Sequence, residues 1–142
     1  MKIAFDSKEK TIVQFEKGDE PVSLLAKLAG ERGVSCHFYM IGGCTDVELA
    51  YYDIVTKDYS SKVHSGNNIE VINVTGTVGW FENEPMTHAH GVFSGPDHAA
   101  YGGHVNYLHM SATGETIVEW LPVQLKKESD PVSGLKLFCG KE

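Results

Sequence analysis

Arginine is nearly missing from this chain. Arg32 is the one example, and Lys126-Lys127, followed at once by Glu128, is the one adjacent basic pair. Proteins that hold nucleic acid do so with lysines and arginines that neutralise phosphates and release counterions. With a formal net charge of −7, the chain would repel a phosphate backbone, which argues against direct DNA binding. Cysteine is also scarce: Cys36, Cys44 and Cys139 make no CxxC, and an odd number of three points to reduced thiols rather than a disulfide framework. No apolar run approaches the roughly 18 residues of a membrane span. The opening Met-Lys-Ile-Ala-Phe meets an acid at Asp6, without the apolar segment of a signal peptide, so a cytoplasmic protein with no membrane partner is expected. Repeats, low-complexity tracts and linkers are absent too. The 142 residues, 42% of them hydrophobic, are then expected to form a single domain, 1–142, with a substantial core.

The apolar pattern is mostly that of strands. Met1–Phe5 and Thr11–Phe15 flank a polar 6–10 segment, a hairpin signal. Gly18-Asp19-Glu20-Pro21 reads as a helix start, with Asp19 available as a cap and proline tolerated in the first turn. Val22, Leu25, Leu28 and Ala29 follow at helical spacing, and Gly30 and Gly33 are expected to end the helix. Val34–Ile41 is a strand that Gly42-Gly43 should break, Asp46–Asp53 is another, and the polar Ser60–Asn68 reads as a loop. Ile69–Val78 is the strongest β segment, and Glu82-Asn-Glu-Pro85 turns the chain into the next strand. Later, Val105–Met110 and Glu115–Leu121 are strands about a Thr113-Gly114 turn, and Leu135–Phe138 is a closing strand. The expected class is α+β: a mostly antiparallel sheet with one main α-helix packed on it, because most connections are too short for parallel crossovers.

Four of the seven histidines fall between residues 88 and 104: two in Met86-Thr-His-Ala-His-Gly-Val-Phe, one in Tyr101-Gly-Gly-His-Val, and His98 in the loop between. In an extended strand His88 and His90 share a face, roughly 7 Å apart. Taken alone, an HxH is more often two ordinary strand histidines. Residues 91–103, rich in glycine with one proline, read as a connection that brings His104 back beside them. Gly102-Gly103 would let the two backbones approach closely. Three imidazoles with an open fourth position make a catalytic zinc site, and imidazole also suits iron, nickel and copper. His98 is a substitute ligand in principle but lies mid-loop. His37 and His64 are isolated and read as structural or solvated.

A longer series of residues carries a resemblance. Gly18-Asp-Glu, the leucine-rich helix, Gly33-Val34, Gly42-Gly43, Glu48-Leu-Ala-Tyr-Tyr-Asp and Glu70-Val-Ile-Asn-Val-Thr-Gly-Thr-Val come first. Pro85-x-x-His-x-His, Gly102-Gly-His and Ser133-Gly-Leu-Lys-Leu follow in the same order. Together they resemble the plants-and-prokaryotes-conserved (PPC) domain family over nearly the whole chain. The resemblance implies an α+β, homotrimer-forming domain. Plant members join it to AT-hook segments that bind AT-rich DNA, while bacterial and archaeal members are usually the domain alone and are often labelled as candidate DNA-binding proteins. No Arg-Gly-Arg-Pro hook occurs here, so the plant DNA contact does not carry over. The fold is also similar to that of acetolactate decarboxylase, whose metal is held by an HxH and a further histidine. That likeness maps onto His88, His90 and His104, whereas Arg32, Glu48, Glu115 and Glu119 cannot be matched to the enzyme's arginine and glutamates.

Two function classes follow. One is a homotrimeric binding or regulatory module that recruits a protein partner or small-molecule ligand, with a divalent metal, zinc first, on the three histidines. The other is a metal-dependent enzyme of lyase or hydrolase type acting on a small oxygenated substrate.

Overall fold

The computed structural model describes residues 1–140. Strands β1 (Lys2–Asp6) and β2 (Lys10–Glu16) form the expected hairpin. Its turn is held by Ser7, whose hydroxyl accepts the Lys10 N–H at 2.9 Å. Helix α1 (Pro21–Arg32) begins one residue later than Asp19 would place its cap. Glu20 is the cap: its carboxylate accepts the N–H groups of Val22 and Ser23 at 2.9 and 2.8 Å. Asp19 is drawn instead to the Met1 ammonium at 2.6 Å and the Glu16 N–H at 2.8 Å. Gly30 lies inside the helix, where the missing Cβ lets Pro85 approach. The stop is Gly33, in the left-handed region at φ 70°, donating back to Ala29 and Gly30. Leu25 and Ala29 enter the core.

Four long strands carry the rest: β3 (Cys36–Asp53), β4 (Asp58–Phe81), β5 (Glu84–Ser94) and β6 (Ala100–Trp120). The sheet order is β1-β2-β6-β3-β4-β5, and every pairing between these strands is antiparallel. One edge of β6 is shared, with β2 on Thr113–Glu119 and β5 on Ala100–His104. That second pairing curls the sheet shut around Phe15, Phe38, Met40, Phe93, Leu108 and Met110. A short hairpin of β7 (Lys127–Ser129) and β8 (Lys136–Phe138) forms a second, two-stranded sheet.

The strands are longer than the sequence pattern proposes, for three local reasons. Neither Gly42-Gly43 nor Thr113-Gly114 ends a strand; Gly42 faces Gly114 across the β3–β6 ladder. A Cβ on Gly42, at φ 155°, would stand 2.3 Å from the Thr113 carbonyl oxygen, so these glycines allow close approach at a register shift. Ser60–Asn68 belongs to β4: its side chains are almost all exposed, so no apolar alternation marks it, while Asp58–Ser65 pair with Asp46–Asp53. The turn between β5 and β6 narrows to residues 95–99, because Gly91–Ser94 and Ala100–Gly103 are paired strand. The turn into β5 is shorter than expected: Glu84 and Pro85 already pair with Phe81 and Trp80, leaving Glu82-Asn83, both at positive φ, as a two-residue hairpin loop.

Candidate metal centre

On β5 the odd positions Ala89, Gly91 and Phe93 face the core, so the alternation turns His88 and His90 outward. On β6, Val105 is buried and His104 emerges on the same outer face, directly opposite His90 in the ladder. Glycine makes this register attainable. A Cβ on Gly102 would stand 2.4 Å from the Gly91 carbonyl oxygen, and one on Gly103 would stand 3.0 Å from that of Ala50. On the far side of β5, a Cβ on Gly76 would meet the His88 carbonyl oxygen at 2.3 Å.

One ring nitrogen from each of His88, His90 and His104 lies within 4.8 Å of the other two. The Nε2 atoms of His88 and His90 are 3.2 Å apart, and the ring centroids are separated by 5.1 to 5.4 Å. Nitrogens about 2.0–2.1 Å from one tetrahedral ion stand roughly 3.3 Å apart, so the donor set fits a metal after small ring rotations. His88 and His90 keep open faces, whereas His104 is half-buried. Desolvation by the surrounding groups, then the charges of Lys127 and the other two imidazoles, pushes His88 down to about 4. His104 is lowered too, by burial first and then by His90 and Lys127. Both rings are therefore neutral at pH 7, the form that ligates a cation.

The rings open into a cleft of about 620 Å³. Its other walls are Tyr52 and Tyr59 from the β3–β4 arm, and Lys127 and Leu135–Phe138 from the β7–β8 hairpin. The hairpin is fitted closely to β4. Gly79 makes the room, since a Cβ there would stand 2.8 Å from Phe138 and 2.9 Å from Lys127. The Trp80 N–H donates to the Leu125 carbonyl at 2.9 Å, the Tyr52 hydroxyl donates to that of Ser133, and Lys57 Nζ reaches that of Pro131 at 3.3 Å. Sequence reasoning found the three histidines but missed this roof. Lys127 sits in a polar stretch with no periodicity, and nothing local says that it folds back over β4.

The other candidates disperse. His98 is exposed in the β5–β6 turn at φ 60° and is outside the cluster. His37 contacts the Thr75 hydroxyl at 3.2 Å, and His64 stacks on Tyr101 at 4.4 Å between centroids. Arg32 pairs with Asp6 and lies over the Trp120 ring at 4.6 Å. Glu48 accepts from Ser61 at 2.7 Å, and Glu119 pairs with Lys10 at 3.2 Å. Neither these residues nor Glu115 lines the cleft, and no carboxylate does among the described residues.

Fold and site together define a curled antiparallel α+β domain with a three-histidine cluster at the mouth of a cleft. The chain belongs to the Plants and Prokaryotes Conserved (PCC) domain family, which it matches over residues 3–122. Among solved structures it is similar to a candidate DNA-binding protein from Ralstonia eutropha JMP134, with 25% identity, a TM-score of 0.89, and 96% of this chain and 95% of that chain covered. It is also similar to a metal-containing protein from Archaeoglobus fulgidus, at 22% identity, a TM-score of 0.84, and 99% and 100% coverage. A more distant likeness in fold is to a Staphylococcus aureus protein similar to alpha-acetolactate decarboxylase, at 12% identity and a TM-score of 0.54, covering 87% of this chain and 55% of that one. No curated protein matches the chain. Among the described residues, no helix is long and apolar enough to cross a membrane.

Proposed function

We propose that the chain is a homotrimeric binding module that holds one divalent metal ion, zinc in the first place, on His88, His90 and His104. Three protein ligands would leave such an ion room for a further ligand from the cleft, where a small molecule binds. The convergence of three imidazole nitrogens within 4.8 Å at the mouth of a 620 Å³ cleft carries this reading. When bound, such an ion supplies Lewis acidity and a water of lowered pKa. The β5–β6 register brings together the residues that would hold it, and Tyr52, Tyr59 and Phe138 wall the cleft. Cobalt substitution tests the open position. The visible spectrum of the cobalt protein should change on adding azide; a spectrum blind to azide would mean a closed site.

The enzyme reading draws on the same open cleft. A lyase or hydrolase also needs a group to move protons, commonly a carboxylate or histidine. With no acid among the lining residues described, that work would fall to Lys127 or a tyrosine, and the binding role is the better supported.

The trimer is supported by an outer face that a lone chain leaves bare. Phe5, Ile12, Ile117 and Tyr39 stand in one register row across β1, β2, β6 and β3, with Phe5, Ile12 and Tyr39 exposed. Strand β1 adds an open edge, and a closed ring of three covers such surfaces without leaving a growing end. Light scattering is expected to give about three times 15.6 kDa. A clean monomer at micromolar concentration would sink the proposal.

Direct DNA binding is not part of it. The net charge is −7, and Arg32 is already engaged with Asp6. Titration with an AT-rich duplex at physiological salt should show at most weak association. Submicromolar affinity with a steep salt slope would contradict this. A cytoplasmic location remains part of the proposal.

A further inference from the structure

Lys127 is an unusual resident of the cleft wall. The residue is only 6% exposed, with the ammonium 4.7 Å over the Phe138 ring. The lysine ion pairs among the described residues are those of Lys2, Lys10 and Lys27, and Lys127 joins none of them. The nearest influences on it are unfavourable: burial first, then the charge of Lys136. Burial strips a cation of hydration that an anion in the cleft would replace, and among the described residues no carboxylate does so. Around it the cleft offers the aromatic and aliphatic surfaces of Phe138, Leu137 and Tyr52, and no acid.

We infer that the cleft binds a small organic carboxylate, its charged end held by Lys127 and its carbon chain lying on Tyr52, Leu137 and Phe138. A monoanion with an apolar tail suits one cation set in an apolar wall. A phosphate dianion is more strongly hydrated and would leave that wall without a partner. The inference rests on the reading of the cleft as a small-ligand site, but Lys127 is not one of the proposed metal ligands. It also adds what the family match leaves out, since that match ends at residue 122 and the roof lies beyond it.

Calorimetric titrations of the full chain test it, using hexanoate, the isosteric neutral hexanamide, and inorganic phosphate. Each is run on wild-type and Lys127→Met protein, with and without added zinc, and bound zinc is measured separately. Hexanoate should bind at one per chain, at least tenfold tighter than hexanamide and tighter than phosphate. Lys127→Met keeps the apolar stem and removes the charge, so it should lose that tenfold preference while still binding one zinc per chain. Equal affinity of the wild type for hexanoate and hexanamide would overturn the inference, whatever the variant does. So would an unchanged preference in Lys127→Met, or phosphate binding best. If no zinc binds, the metal reading falls, while the comparison of acid with amide still decides the role of Lys127.

Discussion

Protein purified without chelator or histidine tag is expected to carry one divalent metal ion per chain, and the His88→Ala and His104→Ala variants none. Two neighbouring strands supply the three ligands, and neither pair alone completes a zinc site. Losing even an outer partner of a metal ligand costs 10–100-fold in affinity, so losing a ligand should cost more than about 100-fold. The sheet should survive, because β5 and β6 are held by Ala89, Phe93, Val105 and Leu108 on the opposite face. His98→Ala, in the exposed turn, should leave the stoichiometry unchanged. Elemental analysis reads all three variants. Native protein without metal, together with no rise in Tm on adding zinc, would remove the metal from the account.

Acid should then release the ion, with a sign that the two lowered imidazoles determine. Protons compete for the same nitrogens, but His88 holds its proton only below about 4, and His104 is also lowered. Half-release should therefore come below the ordinary histidine value of about 6.5. Without metal, the unfolded chain takes up protons near 6.5 while folded His88 waits until about 4, so the unfolded state binds more protons in that window. The stability of the metal-free form should fall as the pH drops through it. The open face of His88 keeps this effect small compared with the loss of the ion. Melting curves at pH 7 and pH 5, with and without zinc, separate the two.

The candidate ligands were legible because strand alternation is a local rule: HxH places two rings on one face wherever the strand lies. His104 was legible through Gly102-Gly103, which announces a close approach in the residues themselves. The strand ends were not. Glycine pairs such as Gly42-Gly43 signal a turn in most contexts, and only the facing Gly114 turns them into a crossing of two continuous strands. Ser60–Asn68 gave no signal because a ladder of backbone bonds exposed on its faces asks nothing of its side chains. The cap moved from Asp19 to Glu20 because the amino terminus, 18 residues upstream, folds back onto Asp19. Lys127 was the hardest to see. Its importance comes from docking on Gly79, a contact between segments almost 50 residues apart.

Gly102→Ala is expected to damage the fold and the metal site together, which no histidine substitution does. The new methyl would sit 2.4 Å from the Gly91 carbonyl oxygen, a backbone atom that cannot swing aside as a side chain would. Relief requires β5 and β6 to part beside the register position where His90 faces His104. Overpacking of this kind costs about 1–3 kcal/mol, a drop in Tm on the order of 5–10 °C for a domain of this size. The same separation carries His104 away from the other two rings, so zinc affinity should fall although all three ligands remain. Gly76→Ala should act alike from the other edge of β5, its methyl 2.3 Å from the His88 carbonyl oxygen. Gly95→Ala is the control: it lies in the adjoining turn, and its Cβ would meet nothing closer than Asp97 at 3.5 Å. Thermal melts and zinc titrations of the three variants read both effects. If Gly102→Ala melts with the wild type and keeps its zinc affinity, the ladder has slack at this point, and close approach is not what brings the third imidazole in.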